Sequence, residues 1–95
     1  MAQINKGADF NLRLKKLHYR AWHRGTREMD FLLGSFIDHI LPKIDEGRLE
    51  ALECLIEHPD GLLHELIIGG GNLDNKSEQE LILDLRKFHN VTIKK

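Results

Sequence analysis

Apolar positions recur at helical intervals along nearly the whole chain. Phe10, Leu14, Leu17 and Ala21 stand at i, i+4, i+7 and i+11, which gives one apolar face to a first helix over residues 9–23, with Asp9 as its N-cap. Gly25 then supplies a residue free to turn left-handed, and His23 and Arg24 place positive charge at the negative end of that helix. A broad stripe of Met29, Leu32, Leu33, Phe36, Ile37, Ile40 and Leu41 defines a second, central helix, which Pro42 ends or kinks. Asp45 is placed to cap a third helix carrying Leu49, Leu52, Leu55 and Ile56, which stops before Pro59. Pro59 opens a short fourth helix that packs through Leu62, Leu63, Leu66 and Ile67 and is stopped by Gly69-Gly70-Gly71. Ser77-x-x-Glu80 has the capping-box pattern, and Leu81, Leu85 and Phe88 mark a fifth helix running to His89. Val91 to Lys95 are expected to fray.

Helices of this kind bury their apolar faces only by packing on one another, so the predicted fold is all-α, a compact bundle of five short helices. One domain over residues 1–95, with its core at about 9–90, suits a chain that can bury one modest core. Leu66-Ile67-Ile68 is the one run where strand competes, but a lone strand has no pairing partner in the sequence. Hydrophobic residues at 41% and charged residues at 31% are ordinary globular proportions. No apolar run approaches the roughly 20 residues that span a bilayer, and no signal-peptide core opens the chain, so a bacterial cytoplasmic location is expected. The single cysteine, Cys54, agrees with a reducing compartment and reads as a packing residue.

Charge changes that picture, because a total of −1 conceals a polarised chain. Residues 1–27 carry seven Lys/Arg against one Asp, residues 28–65 carry two against ten Asp/Glu, and the remainder five against four. Either a basic helix lies against acidic ones, or the two poles form a docking surface that steers a partner.

Candidate chemistry is sparse. Gly70-Gly71-Asn72-Leu73-Asp74-Asn75-Lys76-Ser77 falls short of a P-loop, with Asn75 where the second glycine belongs, and lacks the preceding strand that such a loop needs. It reads as a glycine helix stop followed by a Ser77 cap. The histidines His18 and His23, and His58 and His64, are spaced at five and six residues, not at the three or four that bring ligands together on a helix. Glu46, Glu50, Glu53 and Glu57 follow helical spacing opposite the leucines and read as a wet face. Arg13, Lys15, Lys16, Arg20, Arg24 and Arg27, with Tyr19 and Trp22, form a basic helix suited to phosphates, but the acidic middle of so small a fold would repel a polyanion. Tyr19 and Trp22 fit a self-contact or core packing equally well.

The remaining feature is Arg24-Gly25-Thr26-Arg27-Glu28, an RGxxE string between the first two helices. Capping accounts for its residue types: Gly25 ends one helix, Thr26 caps the next, and Glu28 and Asp30 sit in that helix's first turn. Recognition accounts for them equally, since charged side chains at a corner of a rigid bundle suit a partner's surface.

Leu17-x-Tyr19-Arg20-Ala21-x-x-Arg24-Gly25-x-x-Glu28-x-Asp30, with Leu52-Glu53-Cys54-Leu55-Ile56-Glu57-His58-Pro59-Asp60-Gly61-Leu62, resembles the SdhE family over about residues 10–90. These are small flavinylation factors of succinate dehydrogenase, related to the mitochondrial succinate dehydrogenase assembly factor 2. The resemblance implies a five-helix assembly chaperone, not an enzyme, that binds the flavoprotein subunit of succinate dehydrogenase, and in some bacteria of fumarate reductase, and promotes covalent attachment of FAD. FAD is then the partner's cofactor, with none held stably by this chain. The chemistry joins the flavin 8α-methyl carbon to a histidine of the partner and needs stabilisation of transient negative charge, which the partner's own groups supply if correctly held. The resemblance further implies that Arg24, Gly25 and Glu28 dock on the flavin-bearing domain, extended by Arg27, Asp30 and His23. A monomer that binds neither nucleic acid nor membrane is expected. His23 departs from a frequent Arg or Lys, and Leu63-His64-Glu65-Leu66 lies where a tryptophan is common. The other reading is a small helical regulator that binds nucleic acid or another protein through its basic first helix.

Overall fold

The computed structural model describes residues 6–91, with side chains from Asp9 onward. Its five α-helices are α1 (Lys6–Trp22), α2 (Arg27–Ile40), α3 (Glu46–Leu55), α4 (Asp60–His64) and α5 (Lys76–Phe88). A 3₁₀ turn at Leu41–Lys43 follows α2, and a π turn at Glu65–Gly69 follows α4. No described helix is long and apolar enough to cross a membrane.

The expected stripes become the core. Leu17 and Ala21 of α1, Leu33, Phe36 and Ile37 of α2, and Leu49, Leu52 and Leu55 of α3 are all at most 2% exposed. Leu63, Leu66 and Ile67 close the bundle from α4 and its π turn, and Leu81, Ile82 and Leu85 from α5. α1 lies against α2 and α3, while α5 packs on α2, α3 and the π turn. At the α1–α2 crossing a Cβ on Gly34 would overlap the Trp22 indole ring. Glycine is therefore what lets the two helices approach; Trp22 itself is half-buried and donates from Nε1 to Asp38 Oδ2 at 3.2 Å.

Local expectations shift at several ends. α1 begins at Lys6, so Asp9 lies within its first turn and not at its N-cap. There its carboxylate still favours the positive end of the dipole. Asp45 and Thr26 cap as expected, accepting from Arg48 N and Met29 N. α5, however, is capped by Asn75, whose Oδ1 accepts from Glu78 N at 3.0 Å, and Ser77 lies inside the helix. Asparagine is among the strongest N-caps. The earlier start also lets Gln79 reach back, accepting from Leu73 N at 2.7 Å and donating to Asn72 at 2.9 Å. Leu62 is 40% exposed, because Leu63, Leu66 and Ile67 already occupy the inner face of so short an element. Phe88 is 36% exposed at the end of α5. Val91 N still bonds Arg86 O at 2.8 Å, while Thr92 to Lys95, where fraying was also expected, lie outside the described residues.

The π turn goes with a contact from α5. The Leu66 carbonyl, which an α-helix would offer to Gly70 N–H, accepts instead from Arg86 Nε and Nη2 at 2.9 and 2.6 Å. Gly70 N–H moves back to Glu65 O, five residues away, and Gly70 takes φ 88°, the left-handed stop read from the glycine run.

The polarised charge folds back on itself. Arg13 of α1 donates to both Glu53 oxygens, at 3.1 and 2.6 Å, and to Glu46 at 3.4 Å; Arg20 pairs with Glu57. The Glu53 hydrogen bond raises Arg13 above its ordinary range, so it remains cationic. The basic helix thus lies against the acidic one, as the simpler of the two charge readings has it.

Gly34→Ala is expected to lower stability by about 1–3 kcal/mol, through the clash with Trp22. Gly61→Ala, with nothing within 4 Å of its Cβ position, is expected to be neutral or stabilising by up to ~1 kcal/mol. Urea unfolding of the two variants checks the contrast.

Candidate functional site

The corner between α1 and α2 is built from its own residues. Gly25 takes φ 114°, and no atom lies within 4 Å of where its Cβ would stand. Backbone conformation, not crowding, requires the glycine, and the main chain there is left bare to an approaching surface. Thr26 is extended, with φ −131° and ψ 148°, and its Oγ1 accepts from Met29 N at 3.2 Å. Asp30 closes the turn from inside, its Oδ1 accepting from Arg24 N at 2.6 Å.

Arg24 turns inward, its side chain only 12% exposed. Its Nε donates to Asp60 Oδ1 at 2.8 Å, Nη1 to Ile56 O at 2.6 Å and Nη2 to His58 O at 2.9 Å. Ile56 caps the end of α3, where carbonyls have no intrahelical partner and the dipole is negative, and His58 lies two residues further on, in the turn that leads to α4. Asp60 begins α4. One guanidinium therefore ties the α1–α2 corner to the α3–α4 junction by charge-assisted bonds.

The other members of the motif face outward. Arg27, Gly25 and His23 are exposed, and the Glu28 side chain is 65% exposed. His23 stacks on Tyr19 with ring centroids 3.9 Å apart and donates from Nδ1 to Tyr19 O at 2.6 Å. His64 of α4 reaches across to Glu28 Oε2 at 3.2 Å. Of the six residues read from the sequence, the fold thus brings Arg24 and Asp30 into the scaffold and leaves His23, Gly25, Arg27 and Glu28 on its surface.

Three neighbours escaped the sequence reading. Phe31, 58% exposed, lies one turn beyond Arg27 and off the Met29–Leu32–Leu33–Phe36 stripe, which is a legible sign of an outward aromatic. Asp60 and His64 each lie 36 residues from their partners Arg24 and Glu28, and no local spacing announces them.

Among the described residues no group of three or more His, Cys, Asp or Glu side chains converges as a metal site. The basic helix also has fewer cations to offer phosphates than its sequence suggests, since Arg13, Arg20 and Arg24 are each held by a carboxylate.

Residues 15–89 match the family model Sdh5, described as flavinator of succinate dehydrogenase. The chain is 35% identical over 57 residues to a FAD assembly factor SdhE of Acetobacter pasteurianus, covering 60% of this chain and 52% of the relative. It is 33% identical over 75 residues to a mitochondrial succinate dehydrogenase assembly factor 2 of Dictyostelium discoideum, covering 79% of this chain and 52% of the relative. The matches thus span about half the length of these curated relatives. No solved structure matches.

Arg24→Ala is expected to lose about 2–4 kcal/mol, since it strands Asp60 and two carbonyls, and Gly25→Ala about 1–2 kcal/mol, from its backbone conformation. Arg27→Ala and Glu28→Ala are expected to stay within ~0.5 kcal/mol of the parent. Denaturant midpoints of the four variants would separate scaffold from surface.

Proposed function

We propose, since this chain belongs to the Sdh5 family, that it is an assembly chaperone which binds the flavoprotein subunit of succinate dehydrogenase and promotes covalent attachment of FAD. The observation that carries this reading is the family match over residues 15–89, which includes the whole RGxxE corner and the α3–α4 junction that holds it. FAD is the client's cofactor and forms its bond to a client histidine. This chain turns over no substrate.

Its part is to bind and to hold. The exposed Glu28, Arg27 and His23 make charge-assisted hydrogen bonds to the client's flavin-bearing domain, and the bare backbone at Gly25 admits close contact. Arg24 and Asp30 act from behind, as positioning residues that fix the angle at which those groups are offered. A rigid corner loses little conformational freedom on docking, which favours a defined client geometry. The proposal extends to the fumarate reductase flavoprotein as a second client, to action as a monomer, and to a cytoplasmic site of action.

In cells lacking the gene, covalent flavin on the succinate dehydrogenase flavoprotein, read by flavin fluorescence in denaturing gels, is expected to fall several-fold and to return with the parent protein. Glu28→Ala and Gly25→Arg are expected to restore it poorly, the former while retaining parental stability. The defect of Arg24→Ala should track its folded fraction. Unchanged flavinylation in the deletion strain would overturn the reading.

A further inference from the structure

At the other end of α2 the bundle is open. The last turns of α2, the 3₁₀ turn, the start of α3 and the end of α5 enclose a cleft of about 360 Å³. Phe36, Ile40, Ile44 and Phe88 give it an apolar lining. Phe88 meets Phe36 edge-on at 5.8 Å and stacks on His39 at 4.8 Å, so an aromatic wall faces the opening.

The mouth is cationic. Lys43, Arg48 and Lys87 stand there with a single carboxylate, Asp84, which is paired with Arg48. Among the described residues neither Lys43 nor Lys87 has a carboxylate within 4.0 Å, so the mouth keeps two uncompensated positive charges in a chain whose total is −1. Glu28 and His39 are eleven positions apart on α2, roughly 16 Å along its axis. The cleft is therefore a different surface from the α1–α2 corner.

We propose that this cleft is a second docking site, taking a protein segment in which an aromatic or branched aliphatic side chain is flanked by carboxylates. The apolar lining accepts the anchor and the lysines complement the acids on either side. A volume at the lower end of the roughly 300–1,000 Å³ range of ligand pockets suits one anchor side chain. The open side favours a segment over a small molecule, most of whose surface must be buried to bind well. The inference rests on this surface alone and stands whether or not the corner docks a flavoprotein.

Titration of the ¹⁵N-labelled full chain with the peptide acetyl-Asp-Glu-Phe-Glu-Asp-amide tests it. Shifts are expected around Ile40, Ile44, Lys87 and Phe88, with a Kd of about 1 mM, typical of a single anchored contact. Alanine in place of the peptide's Phe, lysines in place of its acids, or the protein variant K43E/K87E should each weaken binding at least tenfold. Glu28→Ala should leave it unchanged. Both lysines are exposed, so K43E/K87E is expected to keep the parental spectrum outside the cleft, and the peptide series on the unmodified protein gives the same answer independently. Absence of shifts at roughly 5 mM peptide, shifts centred on the corner, or equal binding of the alanine peptide would overturn the proposal. Phenylacetate binding as tightly as the peptide would overturn it too, in favour of a small aromatic carboxylate.

Discussion

The Arg24 guanidinium is the interaction on which the arrangement of this bundle turns. It gathers a carboxylate at the start of α4 and two carbonyls of the α3–α4 junction from a position in the α1–α2 corner. Three chain segments, otherwise linked by apolar contacts and by the more exposed pairs Arg20–Glu57 and Glu28–His64, are thereby placed at fixed hydrogen-bonding distances. Apolar packing is non-directional and tolerates sliding, whereas a planar guanidinium with several acceptors does not. Glu28 and Arg27 depend on it, because the turn that carries them begins at Arg24.

A second arginine does the same at another helix end. Arg86 takes the Leu66 carbonyl and also bonds Gly71 O, and the π turn is the consequence. In both places carbonyls at a helix end that lack intrahelical donors accept from a cation elsewhere in the chain, with the negative end of the dipole adding to the bond. The surface pairs of Arg13 and Arg20 with the α3 carboxylates are more exposed and contribute less to stability. Their effect is on register, since they favour one orientation of α1 over α3.

This division separates two kinds of residue inside one short motif. Arg24, Gly25 and Asp30 make the shape of the corner, and Arg27, Glu28 and His23 occupy its surface. Capping physics accounts for Thr26 and Asp30, and the recognition proposed above concerns Arg27, Glu28 and His23. Thr26 and Asp30 serve the turn through hydrogen bonds, while Glu28, in the first turn of α2, makes only an exposed side-chain contact with His64.

The helices and most of their inward faces were legible in the sequence, because the 3.6-residue period and the capping residues Thr26 and Asp45 act locally. α2, α3 and the π turn end shortly before Pro42, Pro59 and Gly70, while the differences lie at the starts of α1 and α5 and in the exposure of Leu62 and Phe88. Tertiary structure alone decided that Arg24 faces inward, that Gly34 yields its space to Trp22, and that Leu66 gives up its helical bond. Each of these depends on a partner brought close only by folding, 36, 12 and 20 positions away along the chain. Periodicity reports which side of a helix avoids water; it carries no information on which distant polar group will meet it there.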